Sequence, residues 1–266
     1  MASDSAFTGS VPALYHLHLG PLLFEPYADD LARRLTALRP KHVLETAAGT
    51  GIVTEAIARA LPDTRIEATD LNKAMLDVAE ARIASPNLHF RAVDAQLLPY
   101  ADGTFDAVVC QFGAMFFPDR VGAYREARRV LKPGGSFLFN VWDSLERNPA
   151  SAAVAAAVAA VFPEDPPTFF SRIPFGYHDE ATVQADLRAA GFTAIEHEIV
   201  AAGGRIGAPA EAATGLCSGT PLGAEIAARD PSRLHAAIAA ATQALERVAE
   251  EGNMTPLSAH VFTAHG

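Results

Sequence analysis

Residues 43–54, V-L-E-T-A-A-G-T-G-I-V-T, restrict this chain more than any other stretch. A short apolar run, Val43 and Leu44, ends in Glu45. A loop of small residues, 46–51, follows, and then a helical stretch to Leu61 that Pro62 stops. Gly49 and Gly51 let the backbone turn sharply and let a ligand approach with no Cβ in the way. The helix behind them aims its free N–H groups and positive dipole end at the loop. Asp70 closes the next strand, 19 residues after Gly51. A carboxylate there can accept hydrogen bonds from both ribose hydroxyls of an adenosine. A dinucleotide fingerprint asks for G-x-G-x-x-G/A. Here Ile52, Val53 and Thr54 follow Gly51, so the third small position fails, and the Gly-Lys-Ser/Thr of a phosphate loop is absent.

The rhythm repeats along the chain. Residues 21–38 set Leu22, Leu23, Tyr27, Leu31, Leu35 and Leu38 on one side of a helix that Pro40 stops. Strands are expected at 65–69, 88–93, 105–110 and 136–142, and helices at 72–84 and 120–131. Lys132-Pro133-Gly134-Gly135 closes the last of these helices. Ala107, Val108 and Val109 suit a central parallel strand covered on both faces. Beyond Asp143 the pattern changes. Residues 146–170 turn Ala-rich and then Pro-rich, 179–190 reads as a helix capped by Asp179, and 193–200 as a strand. Residues 208–252 read as two or three helices before a last strand, 258–264. The prediction is an α/β doubly wound sheet, mostly parallel, with helices on both faces.

Composition narrows the function. A net charge of −10 repels a nucleic-acid backbone. The basic sets Arg33, Arg34, Arg39 and Lys41, and Arg125, Arg128 and Arg129, fall on expected helix surfaces and read as solvated faces. Two distant cysteines, Cys110 and Cys217, offer no zinc spacing and fit a reducing cytoplasm. The N-terminus, MASDSAFTGS, lacks the basic and apolar regions of a signal peptide. The longest apolar run, 152–162, is too short to span a bilayer and reads as a buried or docked helix.

Four segments resemble the class I S-adenosylmethionine-dependent methyltransferases. Residues 45–51 are similar to motif I, E/D-x-G-x-G-x-G, with Ala47 in place of its first glycine. Residues 66–70 with Lys73-Ala74-Met75-Leu76 are similar to the second-strand motif. Val93-Asp94-Ala95-Gln96, Leu98-Pro99 and Gly103-Thr104-Phe105-Asp106 resemble the third-strand end and fourth-strand entry. Residues 129–135 resemble the turn before the fifth strand. The matches cover 41–143, and the character is that of bacterial small-molecule enzymes of the ubiquinone/menaquinone-biosynthesis type. The resemblance implies a Rossmann-like, seven-stranded, mostly parallel sheet with a helical lid. It implies one domain over 1–266: a helical cap at 1–40, a cofactor-binding core at 41–145, and lid insertions at 146–178 and 208–252 that govern substrate choice.

The resemblance also implies roles. Glu45 holds the methionine end through its ammonium group, and Ala47, Gly49 and Gly51 pack against the cofactor. Asp70 binds the ribose, with Leu71 and Met75 beside it. Asp94 accepts the adenine amino hydrogens while the Ala95 backbone reads a ring nitrogen. Gln111 and Phe112 border the sulfonium. Plainer roles stay open: a structural carboxylate for Glu45, a turn cap for Asp94, an exposed strand end for Gln111. No residue is assigned as catalytic, because a sulfonium is already activated and a base is optional. Tyr15, His16, His18 and His178 are the candidates for one. No metal is expected, because Gln111 stands where metal-dependent catechol-type enzymes carry an aspartate. The Asn/Asp-Pro-Pro-Tyr-like motif of nucleobase-amino enzymes is missing there too. Phe112, Phe116, Phe117, Phe169, Phe170 and Phe175 suit an apolar or aromatic small-molecule acceptor, and equally a core. An exposed Ala-rich helix would permit a homodimer. A non-catalytic cofactor-binding protein and a nicotinamide-dependent oxidoreductase are the competing classes.

Overall fold

Seven segments form strands: β1 (His42–Glu45), β2 (Arg65–Asp70), β3 (Leu88–Ala92), β4 (Phe105–Gln111), β5 (Leu131–Trp142), β6 (Ala194–Arg205) and β7 (Met254–His265). They form one sheet in the order β3-β2-β1-β4-β5-β7-β6. The first five pair in parallel, and β7 runs antiparallel between β5 and β6. The computed structural model of the chain describes Gly9, residues 11–249 and residues 251–266. The segment read above as lacking a signal peptide lies outside the described residues, Gly9 excepted.

Eleven α-helices are described: α1 (Val11–Leu14), α2 (Glu25–Leu38), α3 (Ile52–Ala60), α4 (Lys73–Arg82), α5 (Arg120–Val130), α6 (Pro149–Val161), α7 (Phe169–Arg172), α8 (Glu180–Ala189), α9 (Pro209–Ser218), α10 (Leu222–Arg229) and α11 (Leu234–Val248). Helices α2, α3 and α4 contribute Leu31, Leu35, Ile57 and Leu76 to one face of the sheet. Helices α5 and α8 contribute Tyr124, Val183 and Leu187 to the other, against Phe137, Phe139 and Phe262. Helix α11 packs on α6 and α9, and α9 packs on the segment Tyr15–Phe24. Helix α6 is therefore docked within the chain, with only Ala156 and Ala160 exposed. It does not present the exposed alanine face that would have permitted a homodimer.

Three boundaries differ from the sequence reading. The N-terminal helical stretch starts at Val11, and Tyr15–Phe24 is a π-helix containing Pro21. Proline supplies no N–H, and the wider i→i+5 pattern persists to the end, where Glu25 N–H donates to Gly20 O. Strand β5 starts at Leu131, which pairs with Phe105 before the register jumps to Ser136 opposite Ala107. The turn 132–135 is thus a bulge within the strand rather than a separate cap. Strands β6 and β7 each run 12 residues, pairing from Ala194–His265 to Arg205–Met254. In β6 the small residues Ala201-Ala202-Gly203-Gly204 hid the extension. They let the strand lie close to the π-helix: a Cβ on Gly204 would sit 2.1 Å from Leu22 O.

Candidate active site

Strands β1, β2 and β4 end in Glu45, Asp70 and Gln111, and Asp94 follows β3 by two residues. Neighbouring parallel strands whose C-terminal ends carry such groups open onto one crevice. The loop after β1 is tied to both flanking strands. Thr46 N–H donates to Val109 O and Ala48 N–H to Thr69 O, each at 2.9 Å. Ala47, Gly49 and Gly51 alternate in the left-handed region, at φ of +53°, +57° and +81°. An L-residue costs about 1–2 kcal/mol there, a cost that falls on Ala47. Gly51 faces away from the crevice, and a Cβ on it would lie 2.8 Å from Ala79 Cβ and 2.6 Å from Ile83 Cδ1. Its bareness lets α4 close on the start of α3.

The two acids at the strand ends are buried. Asp70 accepts from Gly49 N–H at 2.8 Å and from Asn72 N–H at 2.7 Å, one through each carboxylate oxygen. Burial nevertheless pushes its pKa up. Glu45 accepts from the Thr54 hydroxyl at 2.6 Å, and burial pushes its pKa up to about 8. Asp94 accepts from Gln96 N–H at 2.9 Å, which fixes the turn after β3. Gln111 donates to Phe24 O at 3.2 Å, while its Oε1 is buried with no partner among the described residues.

Around these groups lie three adjoining cavities. The largest, about 260 Å³, is lined by Ala47, Gly49, Asp70, Leu71, Met75, Asp94, Ala95 and Gln111. A second, about 30 Å³, runs beneath the loop and reaches Glu45, sharing Ala47, Gly49 and Gln111. The structure so brings together nine of the ten residues that the sequence proposed, Gly51 being the one outside the lining. A third cavity, about 50 Å³, is walled by Leu19, Leu23, Phe24, Met115, Trp142, Phe169, Phe170, Phe175 and Leu216. Tyr15, Phe112 and Phe116 line both this cavity and the largest one. Phe112 takes a left-handed φ of +49° and stacks on Trp142 with centroids 3.8 Å apart.

The four base candidates separate. Tyr15 lines all three cavities, and burial followed by the charge of Asp70 pushes its pKa far up, so its hydroxyl stays protonated. His16 lines none of the three cavities but bonds the hydroxyl of Thr50, which lines the second, at 3.1 Å. His18 packs under Gly215 of α9, and His178 bonds Phe175 O at 2.8 Å. Sequence reasoning gave no site role to Asn72, Val93, Gln96, Gly113 and Pro118, which also line the large cavity. Asn72 and Val93 flank the motif acids, and that adjacency was the available signal. Leu19, Leu23 and Leu216 reach the aromatic cavity only through tertiary packing and carried no signal.

The chain is similar to known methyltransferases. A methyltransferase domain model matches residues 44–139. The ubiquinone/menaquinone biosynthesis C-methyltransferase UbiE of Klebsiella pneumoniae (strain 342) is 28% identical over 179 residues, 62% of this chain and 71% of that protein. The demethylmenaquinone methyltransferase of Deinococcus radiodurans is 34% identical over 133 residues, 49% of this chain and 53% of that enzyme. The chain spans about half the length of the latter. A Haemonchus contortus phosphoethanolamine N-methyltransferase, solved with S-adenosyl-L-methionine, superposes with a TM-score of 0.60 at 17% identity, over 96% of this chain and 56% of that one. That likeness is one of fold.

Proposed function

We propose that the chain is a class I S-adenosylmethionine-dependent methyltransferase, resembling the UbiE-type enzymes, that methylates an apolar, aromatic small molecule. One observation carries the proposal: the aromatic-walled cavity meets the acid-lined one at Tyr15, Phe112 and Phe116. A cofactor in the polar cavity and an acceptor in the aromatic one would meet at that boundary.

The side chains fit the cofactor at an orphaned atom. Gln111 Oε1 is buried without a partner at the wall shared with the Glu45 cavity, and an ammonium group would supply the missing donor. Glu45 and Gln111 would hold the methionine end. Asp70 would take the ribose hydroxyls, and Asp94 with the Ala95 backbone would take the adenine edge. Leu71 and Met75 would pack against the adenosine. The cofactor supplies an electrophilic methyl on a sulfonium. The protein's work is then to align acceptor and methyl group and to keep water out. Aromatic faces at the boundary tolerate a cation. Tyr15, whose pKa burial raises, can donate a hydrogen bond at this boundary. Among the described residues the aromatic cavity offers no carboxylate, amine or imidazole. In-line transfer therefore relies on the acceptor's own nucleophilic atom. We assign 1–40 as a cap, 41–145 as the cofactor-binding core, and 146–178 and 208–252 as the lid that selects the acceptor. Ser151, Phe169, Phe170, Phe175 and Leu216 support the lid assignment by lining the acceptor side. Two buried free thiols, Cys110 and Cys217, fit a reducing cytoplasm.

Titration calorimetry with S-adenosylmethionine and S-adenosylhomocysteine tests the reading. Wild type is expected to bind both. Asp70→Ala, shown to be folded by circular dichroism, should bind at least about 100-fold more weakly, since hydrogen bonds to a charged group are worth roughly 1.5–3 kcal/mol each. A folded wild-type protein that binds neither compound would end the proposal.

A further inference from the structure

Helix α6 is almost entirely alanine and valine, P-A-S-A-A-V-A-A-A-V-A-A-V. Its buried face is Ala150, Ser151, Val154 and Val158. Ser151, at 2% exposure, is the polar member of that face, and it lines the aromatic cavity. The cavity's other aliphatic hydroxyl is committed: Thr220 Oγ1 donates to Leu216 O at 2.8 Å and accepts from Leu222 N–H at 3.2 Å. The Ser151 hydroxyl has no hydrogen-bond partner among the described residues, and it sits in the first turn of a 13-residue helix. A hydroxyl at the wall of an aromatic-lined cavity gains from a ligand atom that bonds it. Alanine at this position would serve helix α6 better.

We propose that Ser151 is a specificity-determining residue that hydrogen-bonds an oxygen substituent of the acceptor, at the end away from the methyl donor. Ser151 is absent from the lining of the cofactor cavity, whereas Tyr15, Phe112 and Phe116 belong to both. The aromatic walls would hold the ring and the hydroxyl would set which way it faces. The proposal rests on the acceptor reading of this cavity.

The test uses two isosteric probes, p-cresol and p-xylene, which exchange a hydroxyl for a methyl. Trp142, the chain's single tryptophan, lines the cavity and reports occupancy by its fluorescence. With saturating S-adenosylhomocysteine, wild type should prefer p-cresol by about tenfold. Ser151→Ala should bind both equally, and Ser151→Thr should keep a preference. Equal binding by wild type, an undiminished preference in Ser151→Ala, or binding of neither probe to a cofactor-loaded protein would overturn the proposal. Failure to bind S-adenosylhomocysteine at all would instead overturn the methyl-transfer site on which it rests.

Discussion

Glu45 has its carboxyl pKa raised from 4.5 to about 8 by burial, so the folded chain holds a proton that the unfolded chain releases. Its contribution to stability is complete below the unfolded pKa and is lost as pH rises through the folded one. Wild type should therefore lose stability relative to Glu45→Gln between about pH 5 and about pH 8.5 in urea unfolding. Parallel curves for the two proteins would contradict this. The left-handed Ala47 leads to a second prediction. A Cβ on Gly113 would lie 2.4 Å from Ala47 Cβ and 2.8 Å from Cys110 Sγ. The bare Gly113 is what accommodates alanine at the position where the motif has glycine. Gly113→Ala should destabilise by about 1–3 kcal/mol, and adding Ala47→Gly should recover part of the loss. Strict additivity in the double-mutant cycle would show that the two sites are uncoupled. The acids were legible at this scale because a charged residue ending an apolar run is rare and has few uses. Tyr15 was one of four equivalent candidates, since nothing along the chain says that a π-helix carries it over the crevice. Ser151 looked like filler in an alanine run.

Elements with a hydrophobic period and a stop signal were legible: β1 to β4, α3 to α5, and α8, whose Asp179 cap accepts from Thr182 N–H at 2.7 Å. What stayed hidden were the π-helix and the extended ends of β6 and β7, where packing rather than local propensity sets the conformation. The connection between β3 and β4 shows how an element positions the site. From α5, Arg129 donates to Leu98 O at 2.9 Å and to Tyr100 O at 2.7 Å, while Glu126 accepts from Leu98 N–H at 2.8 Å. Its pairing with the exposed Asp102 adds little; the two carbonyl bonds pin the segment that follows Asp94. Arg129→Ala should cost about 2–3 kcal/mol. Arg129→Lys should fare nearly as badly, because an ammonium cannot reproduce the planar fork. Both should also weaken S-adenosylhomocysteine binding. Full stability in the lysine variant would mean that charge, not geometry, holds the connection.

Across the whole molecule, the sheet places acids at the strand ends while the cover comes from elements far apart in sequence. Tyr15–Phe24 lies over the crevice, and α6, α7 and α9 close the aromatic side. Polar contacts at its two edges tie that cover to the crevice: His16 on Thr50 at 3.1 Å and Gln111 on Phe24 O at 3.2 Å. The core beneath is closely packed, with Phe105, Phe137, Phe139 and Phe262 at most 1% exposed. A ligand that fits between core and cover binds the folded state alone and stabilises it by mass action. At 100 times Kd this amounts to about 2.7 kcal/mol, or roughly 5–10 °C in Tm for a chain of this size. Saturating S-adenosylhomocysteine should produce that rise. In hydrogen exchange, the gain in protection should be largest at residues 15–24 and in the loop 46–51, with little change in the central strands β4 and β5, because core strands open nearest the global limit. A Tm rise with protection spread evenly over the chain would mean that the cover is already as rigid as the core, and that entry to the crevice does not depend on its opening.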